Sequence, residues 1–444
     1  VSRTVAFSTL GCKVNQYESD AMAKLFRDRG YDIVHENDPA DVYVINTCTV
    51  TNLGDRKSRS IARRARRQNP MAVIAVVGCY AQVAADEVMR IEGVNLVLGT
   101  NERMKIVDYI EDLGPWDKVS AVGDIMEVAE FEELEIDEHG DRTRAFIKIQ
   151  EGCNQYCSYC IIPYARGRIR SRSIDHIESE VTRLVGHGFS EFVLTGIHIA
   201  SYGREVEQSQ AEAQALSLID VIERVDAIEG VKRLRLGSIE PMLMTAEFVE
   251  RLSRLKSICP HFHLSLQSGS DPVLKRMNRK YTASDFMEVV ERLKTKFDRP
   301  SLTTDIIVGF PGETEEMFRD TITLASQVGF AKIHVFQYSA KTGTPAATMK
   351  DQVDHAVRHE RSERLIALQD QLESDYNRQW LGSVKEVLFE GVPELGIKEI
   401  EGLTPDYLRV KVEAGPGYIG KIAKVKLEAL TEHGFMGSLM DEEA

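Results

Sequence analysis

The chain has 444 residues, a formal net charge of −14 and the composition of a globular protein. That length admits two to four domains, and the acidic balance argues against a general nucleic-acid binder. No apolar run approaches the ~20 residues a membrane helix needs, and the polar opening Val-Ser-Arg-Thr has no secretory hydrophobic region.

Residues 1–120 repeat one pattern three times. Thr4-Val5-Ala6-Phe7-Ser8 leads to Gly11-Cys12, Val42-Tyr43-Val44-Ile45 to Asn46-Thr47-Cys48, and Val73-Ile74-Ala75-Val76-Val77 to Gly78-Cys79. Such near-continuous apolar runs, each followed by a helical segment, predict buried parallel strands in an open α/β sheet. Ligands gather beyond the carboxyl ends of such strands. Cys12, Cys48 and Cys79 are therefore expected to converge, although they stand 36 and 31 residues apart. Three unrelated buried thiols are the alternative, but all three fall at the same end of successive strands. A metal cluster with three cysteine ligands is the expectation.

From Arg56 to Arg67 the chain carries seven Lys/Arg and no acid. Positions 56, 59, 63, 66 and 67 lie mostly on one helical face, either to meet phosphates or simply as a solvated surface. From Glu127 to Asp141 there are eight acids and one histidine without helical or strand period. Residues 121–141 are expected to form a solvated linker.

Residues 142–350 read as six strand–helix units. The predicted strands are Ala145–Gln150, Glu191–Gly196, Arg233–Ser238, His261–Gln267, Leu302–Val308 and Lys332–Tyr338, with helices such as Ile174–Gly186 and Glu315–Val328 between them. That alternation predicts a parallel sheet closed into a partial (β/α)6 barrel, with chemistry at the carboxyl ends of the strands. After the first strand comes Glu-Gly-Cys153-Asn-Gln-Tyr-Cys157-Ser-Tyr-Cys160. Three thiolates on one short loop can hold a four-iron cluster and leave one iron open, since such clusters ordinarily take four cysteines. A structural zinc would need a fourth ligand, and no histidine lies nearby in sequence.

Residues 351–382 predict a polar bridging helix. From 383 to 444 the pattern turns to short strands, Val384–Phe389, Tyr407–Val412 and Lys421–Leu427, as in a small all-β barrel. Seven cysteines make an odd count, unsuited to a disulfide framework, and point to metal work in a reducing, cytoplasmic setting. Cys259 stands outside both triads and reads as a structural thiol. His198, His261 and His263 receive no role.

The spacing Cys-x3-Cys-x2-Cys is that of the radical S-adenosylmethionine (SAM) superfamily. Together with further stretches it resembles the methylthiotransferases, which add a methylthio group to a tRNA base or a ribosomal protein. Those stretches are Gly11-Cys12-Lys13-Val14-Asn15-Gln16-Tyr17-Glu18-Ser19, Pro163-Tyr164-Ala165-Arg166-Gly167-Arg168, Leu264-Ser265-Leu266-Gln267-Ser268-Gly269-Ser270-Asp271, Gly309-Phe310-Pro311-Gly312-Glu313-Thr314 and Gly343-Thr344-Pro345-Ala346. They span essentially the whole chain, and the C-terminal segment resembles the TRAM domain, a nucleic-acid-binding barrel. Thr9-Leu10-Gly11-Cys12-Lys13-Val14-Asn15-Gln16 is similar to the branch acting on N6-threonylcarbamoyladenosine at position 37, beside the anticodon. The isopentenyladenosine and ribosomal-protein branches usually differ just after the first cysteine. Outside the family, the competing reading is a metal-stabilised RNA-binding protein without turnover.

The resemblance implies two [4Fe-4S] clusters, one on Cys153, Cys157 and Cys160 and one on Cys12, Cys48 and Cys79, with SAM at the open iron of the first. That cluster would reduce SAM to give a 5′-deoxyadenosyl radical, and the second would serve sulfur transfer. It further implies tRNA, an electron donor such as flavodoxin or ferredoxin, and a sulfur source as partners. Tyr159 matches an aromatic near the SAM adenine, and Gly196 a glycine that lets backbone approach the SAM amino group, or else a plain turn glycine. Ser238, Glu240 and Gln267 finish strands where SAM or substrate would be reached, or are strand caps.

For RNA, Arg166, Arg168, Arg170 and Arg172 follow the cysteine loop with no acid between them and join Arg56, Arg59 and Arg63. Lys275, Arg276, Arg279 and Lys280 form a weaker third patch. Where relatives often carry Tyr-Ser-x-Arg, this chain has Tyr338-Ser339-Ala340-Lys341, which keeps the charge and loses the planar fork. The TRAM-like segment holds seven Lys/Arg against twelve Asp/Glu, so its charge gives no support for RNA binding.

Overall fold

A computed structural model of the chain describes residues 2–50, 52–136, 143–205, 216–391 and 399–440. The N-terminal unit is one parallel sheet of β1 (Thr4–Thr9), β2 (Asp32–Val34), β3 (Val42–Thr47), β4 (Val73–Gly78), β5 (Leu96–Leu98) and β6 (Val119–Ala121), in the order β2-β1-β3-β4-β5-β6. Every residue of β3 and β4 is buried, because helices cover both faces of an all-parallel sheet. Helix α1 (Lys13–Asp28) follows β1, α2 (Asn52–Gln68) follows β3, and α3 (Cys79–Val83) follows β4. The strand order reverses between β1 and β3, which is where sheets of this kind open a crevice at their carboxyl ends. Cys12 and Cys48 flank that crevice. The sequence pattern reveals β1, β3 and β4 but not β2, β5 and β6, whose three residues each are too few to display a period.

The middle unit contains β7 (Arg144–Glu151), β8 (Arg170–Ser171), β9 (Glu191–Gly196), β10 (Arg233–Leu236), β11 (His261–His263), β12 (Ser301–Val308) and β13 (Lys332–Gln337). Parallel pairing runs β7-β9-β10 and β11-β12-β13, with single parallel bridges Leu234–Ile258 and Ile239–Leu264 joining the two sets. Strand β8 pairs antiparallel with the end of β7. The outward residues of these strands, such as Ile147, Leu194, Leu234, Phe262 and Ile306, pack against the helices in one core. Predicted helices Ile174–Gly186 and Glu315–Val328 have those bounds. The predicted strand 261–267 is shorter: β11 ends at His263, and beyond it Leu264 and Gln267 keep only single bridges, to Ile239 and Ile306.

Helix His355–Arg378 leads into a closed barrel of β14 (Val384–Glu390), β15 (Glu399–Leu403), β16 (Arg409–Glu413), β17 (Ile422–Thr431) and β18 (Gly434–Leu439), ordered β14-β15-β16-β18-β17. Its β15–β16 turn docks on the middle unit. Arg235 donates to the carbonyls of Thr404 (2.6 Å) and Pro405 (2.8 Å), and Arg233 to that of Leu403 (3.0 Å). The Tyr407 ring stacks on His261 at 4.6 Å. Arg233 and His261 begin their strands, so the C-terminal barrel closes the amino end of the middle barrel. The Cys153–Cys160 loop, after β7, is left at the opposite end.

The acidic segment departs from the expected solvated linker. Residues 137–141 lie outside the described residues, but Leu134 and Ile136 are buried against Tyr17 and Ala21 of α1. Glu132 pairs with buried Arg103 at 2.8 Å and Glu133 with Arg172 at 2.7 Å. Its charges are counter-ions for buried arginines, which linear charge density does not disclose.

Candidate active site

Each cysteine of the N-terminal triad sits where a strand of the sheet ends. Cys12 caps α1 and Cys79 opens α3. Gly11 takes φ +108°, and a Cβ there would stand 2.8 Å from the Cys48 Cβ and 3.2 Å from its sulfur, so only glycine lets the two loops close on each other. Asn15, one turn into α1, donates to the carbonyls of Leu10 (2.7 Å) and Thr47 (2.9 Å), binding the loops after β1 and β3 together. Burial pushes the Cys79 thiol up to about 12, although the neighbouring Arg166 guanidinium acts to lower it. Burial raises Cys48 as well.

The second triad follows β7. Gly152 takes φ +73° and lies so close to the Arg168 carbonyl that a Cβ would stand 1.8 Å from its oxygen. The loop then rests on residues 276–278. The Ser158 amide donates to the Met277 carbonyl (3.0 Å) and its hydroxyl to that of Arg276 (2.7 Å), while Asn278 donates to the Tyr156 carbonyl (2.9 Å). Arg279 brings Nη1 to 3.3 Å from the Cys157 sulfur, and Glu240 holds its Nη2 at 2.7 Å. Burial pushes Cys153 up to about 11 and Cys160 to about 12.

A buried ionic network joins the N-terminal triad to the radical-SAM unit. Arg166, in the helix directly after Cys160, places Nε 3.1 Å from the Cys79 sulfur, Nη1 2.5 Å from Glu18 and Nη2 2.6 Å from Asn15. Glu18 also takes Lys148 at 2.9 Å and pairs with Arg103. Glu151 pairs with Lys148 and lies 3.3 Å from Arg166. With half-buried Glu132 at its edge, three carboxylates face three cations, so the charges of the buried members Glu18, Glu151, Arg103, Lys148 and Arg166 are balanced. Burial alone would raise the Glu18 carboxyl, but Arg103, Arg166 and Lys148 hold it well below the usual range.

The donor set of each triad, three cysteine thiols, fits an iron–sulfur cluster. Thiolates are soft ligands suited to iron–sulfur centres. A guanidinium beside each triad, Arg166 at Cys79 and Arg279 at Cys157, supplies positive charge for an electron-rich cluster.

The other predicted site residues divide. Glu240 stands at the second triad through Arg279. Gly196 lies against β7, where a Cβ would come 2.8 Å from the Gln150 carbonyl oxygen. Tyr159 packs edge-on to Phe310 at 6.3 Å. Ser238 is exposed beyond β10, and Gln267 is half-buried with its backbone bridged to β12. Arg56, Arg59, Arg63 and Arg67 line an open cavity of about 340 Å³ on α2, although Arg59 is tied to Tyr80 and Glu87. Arg66 turns to the Gly93 carbonyl (2.7 Å) and Asn95 (2.8 Å).

Four arginines assigned to RNA are corrected. Arg166, Arg170 and Arg172 are buried, with Arg172 held by Glu180 and Glu133, and cannot reach a phosphate. Arg279 likewise points inward. Arg168 alone of the 166–172 series is exposed. Their charge implied a surface, but carboxylates draw in Arg166 (Glu18), Arg172 (Glu180 and Glu133) and Arg279 (Glu240), and Arg170 turns to the carbonyls of Arg166 and Arg168. Sequence reasoning missed the roles of Asn15 and Glu18. Their spacing of three and six residues from Cys12 on one helix face was the available signal.

Lys341 is buried and donates to Asp55 at 2.5 Å, while the other Asp55 oxygen accepts from Thr49 at 2.9 Å. This single-point ion pair requires no planar fork. It fastens the loop after β13 to α2, beside Cys48.

Residues 147–325 match the family model described as the Radical SAM superfamily, and residues 4–99 that of the uncharacterized protein family UPF0004. The chain is 47% identical to the threonylcarbamoyladenosine tRNA methylthiotransferase MtaB of Bacillus subtilis, covering 96% of this chain and 93% of that one. The protein of the same name from Thermotoga maritima is 37% identical, with 99% and 98% covered. A tRNA-2-methylthio-N(6)-dimethylallyladenosine synthase of Acetivibrio thermocellus is 34% identical, with 98% and 90% covered. Among solved structures, the radical S-adenosylmethionine methyltransferase TsrM of Kitasatospora setae superimposes with a TM-score of 0.55 at 16% identity over 78% of this chain and 77% of that one, a likeness of fold. With such identity over nearly its full length, the chain belongs to the radical-SAM methylthiotransferase family, in the branch of the threonylcarbamoyladenosine tRNA methylthiotransferases.

Proposed function

We propose that this chain inserts a methylthio group at C2 of N6-threonylcarbamoyladenosine at position 37 of tRNA. The observation that carries this reading is the contact of Arg166, in the helix that follows the second triad, with Cys79 of the first, in a chain 47% identical to an enzyme of that name. Adenine C2–H has no usefully acidic proton, so acid–base side chains cannot open it. SAM and two [4Fe-4S] clusters supply the one-electron chemistry and the sulfur that such side chains lack.

In this reading Cys153, Cys157 and Cys160 hold the SAM-binding cluster, and Cys12, Cys48 and Cys79 hold the sulfur-transfer cluster. The protein's own part is positioning and electrostatics. Glu240 fixes Arg279 against Cys157, and Glu18 fixes Arg166 against Cys79. Tyr159, Gly196, Ser238, Glu240 and Gln267 are the SAM-side residues, at or near the carboxyl ends of the barrel strands. The close packing of Gly196 on Gln150 requires glycine for the fold itself, whatever it does for SAM.

Arg56, Arg63, Arg67 and Arg168 are exposed and take the tRNA phosphates. A low-potential carrier of flavodoxin or ferredoxin type supplies electrons, and a separate sulfur source renews the sulfur. Seven free cysteines and a tRNA substrate suit the cytoplasm. No helix among the described residues is long and apolar enough to cross a membrane.

Mass spectrometry of tRNA nucleosides from a strain lacking the protein tests the substrate. The expected result is loss of 2-methylthio-N6-threonylcarbamoyladenosine with its unmethylthiolated precursor retained. Loss of a methylthio isopentenyladenosine instead would move the chain to the other branch.

A further inference from the structure

Away from the cysteines, three metal-type donors meet on the inner wall of the radical-SAM barrel. Phe262, Leu264, Leu302, Ile306 and Ile333 point into the outer core. Strand alternation therefore turns His263, Thr303, Asp305 and His334 to the opposite, inner face. Register brings them level, with Asp305 opposite His334 and His263 opposite Thr303, two residues along. The ligand atoms of His263, Asp305 and His334 all lie within 4.8 Å of one another. His263 and Asp305 are half-buried, and His334 is exposed.

The spacing suits a shared cation. Donors held ~2.0–2.1 Å from one ion stand about 2.9–3.4 Å apart, and His263 Nε2 lies 3.2 Å from Asp305 Oδ2. The other ring nitrogen of His263 is 3.0 Å from the Thr303 hydroxyl, which in turn is 3.2 Å from His261 Nε2. With the Thr303 hydroxyl accepting from Nδ1–H, as a group that orients a ligating imidazole does, the His263 Nε2 lone pair faces the Asp305 carboxylate, an arrangement that a cation between them satisfies. A proton would satisfy that pair alone. The convergence of His334, a third donor from the next strand, favours an ion.

We propose that His263, Asp305 and His334 form a binding site for one divalent transition-metal cation, independent of both cysteine triads. Two imidazoles and one carboxylate are a donor set for zinc or ferrous iron. Three protein ligands leave positions open toward the barrel interior for water or a substrate oxygen.

Zinc is the probe, because the clusters contain none. Anaerobically prepared protein with both clusters intact is equilibrated with micromolar Zn2+, desalted, and measured for zinc, iron and sulfide. About one zinc per chain is expected, with a zinc X-ray absorption spectrum showing nitrogen and oxygen neighbours only. His334→Ala, at an exposed position, and Asp305→Asn should each weaken zinc binding about tenfold or more, with iron and sulfide unchanged. No retained zinc, sulfur in the zinc shell, or unaltered binding in both variants would overturn the site.

Discussion

Arg166 lies with Nε 3.1 Å from the Cys79 sulfur while its remaining nitrogens hold Glu18 and Asn15 of α1. One residue of the radical-SAM unit thus supports Cys79 of the other triad and neutralises Glu18, which lies on α1 six residues after Cys12. The N-terminal triad rests on a cation of the radical-SAM unit, and disturbing that contact should affect both cluster retention and the union of the two units.

Arg166→Met removes the cation and strands Glu18 among fewer partners. Breaking a buried pair from one side costs about 3–5 kcal/mol. The expected outcome is a clear fall in melting temperature and loss of roughly half the iron after anaerobic reconstitution. Arg166→Lys should recover part of the stability, since it keeps the charge and loses the fork.

Glu18 gives a pH signature. Its carboxyl is held below the usual range, so its stabilisation is full above the unfolded value of ~4.3 and fades as pH falls through the lower folded value. Comparing cluster-free wild type with Glu18→Gln, the stability gap should stay constant from pH 7 to about 5 and narrow below ~4.3. A gap that widened on acidification would contradict the assignment.

Lys341→Met should leave Asp55 buried beside Thr49 and the Cys48 loop. The expected cost is about 1–3 kcal/mol, read as a lower melting temperature. Asp55→Asn should lower it less, because the amide oxygen can still accept from Lys341 while its NH2 donates to the Thr49 hydroxyl. Equal losses in the double variant and in Lys341→Met would show that the two residues act as one pair.

The arginine face of α2 is tested by salt. Replacing Arg56, Arg63 and Arg67 with Gln should weaken tRNA binding and lower the slope of log affinity against log salt by about 2–3, at roughly 0.9 per neutralised phosphate and less on single-stranded loops. The reductive cleavage of SAM should be unchanged. An unaltered salt slope would leave this face merely solvated.

Much of the architecture is written in local pattern. Apolar runs such as Val42–Ile45 and Val73–Val77 announced buried strands, and each strand end announced its cysteine. What stayed hidden depends on partners remote in sequence. Arg166 and Arg172 read as surface charge until Glu18 and Glu180 are seen to fold against them. Strands β15 and β18 escaped notice because Gly402 and Gly437 interrupt their period. Each glycine sits where a Cβ would come within 2.6 Å of a backbone oxygen on the adjoining strand. Glu132 and Glu133 have the linear pattern of a solvated run, yet they neutralise buried cations.

The division of labour between the triads is the central claim, and paired cysteine variants test it most directly. With reconstituted protein, a one-electron reductant, SAM and threonylcarbamoylated tRNA, Cys157→Ala should yield neither 5′-deoxyadenosine nor methylthiolated nucleoside. Cys48→Ala should still release 5′-deoxyadenosine while its tRNA gains no methylthio group by mass spectrometry. Normal methylthiolation by Cys48→Ala would contradict the account.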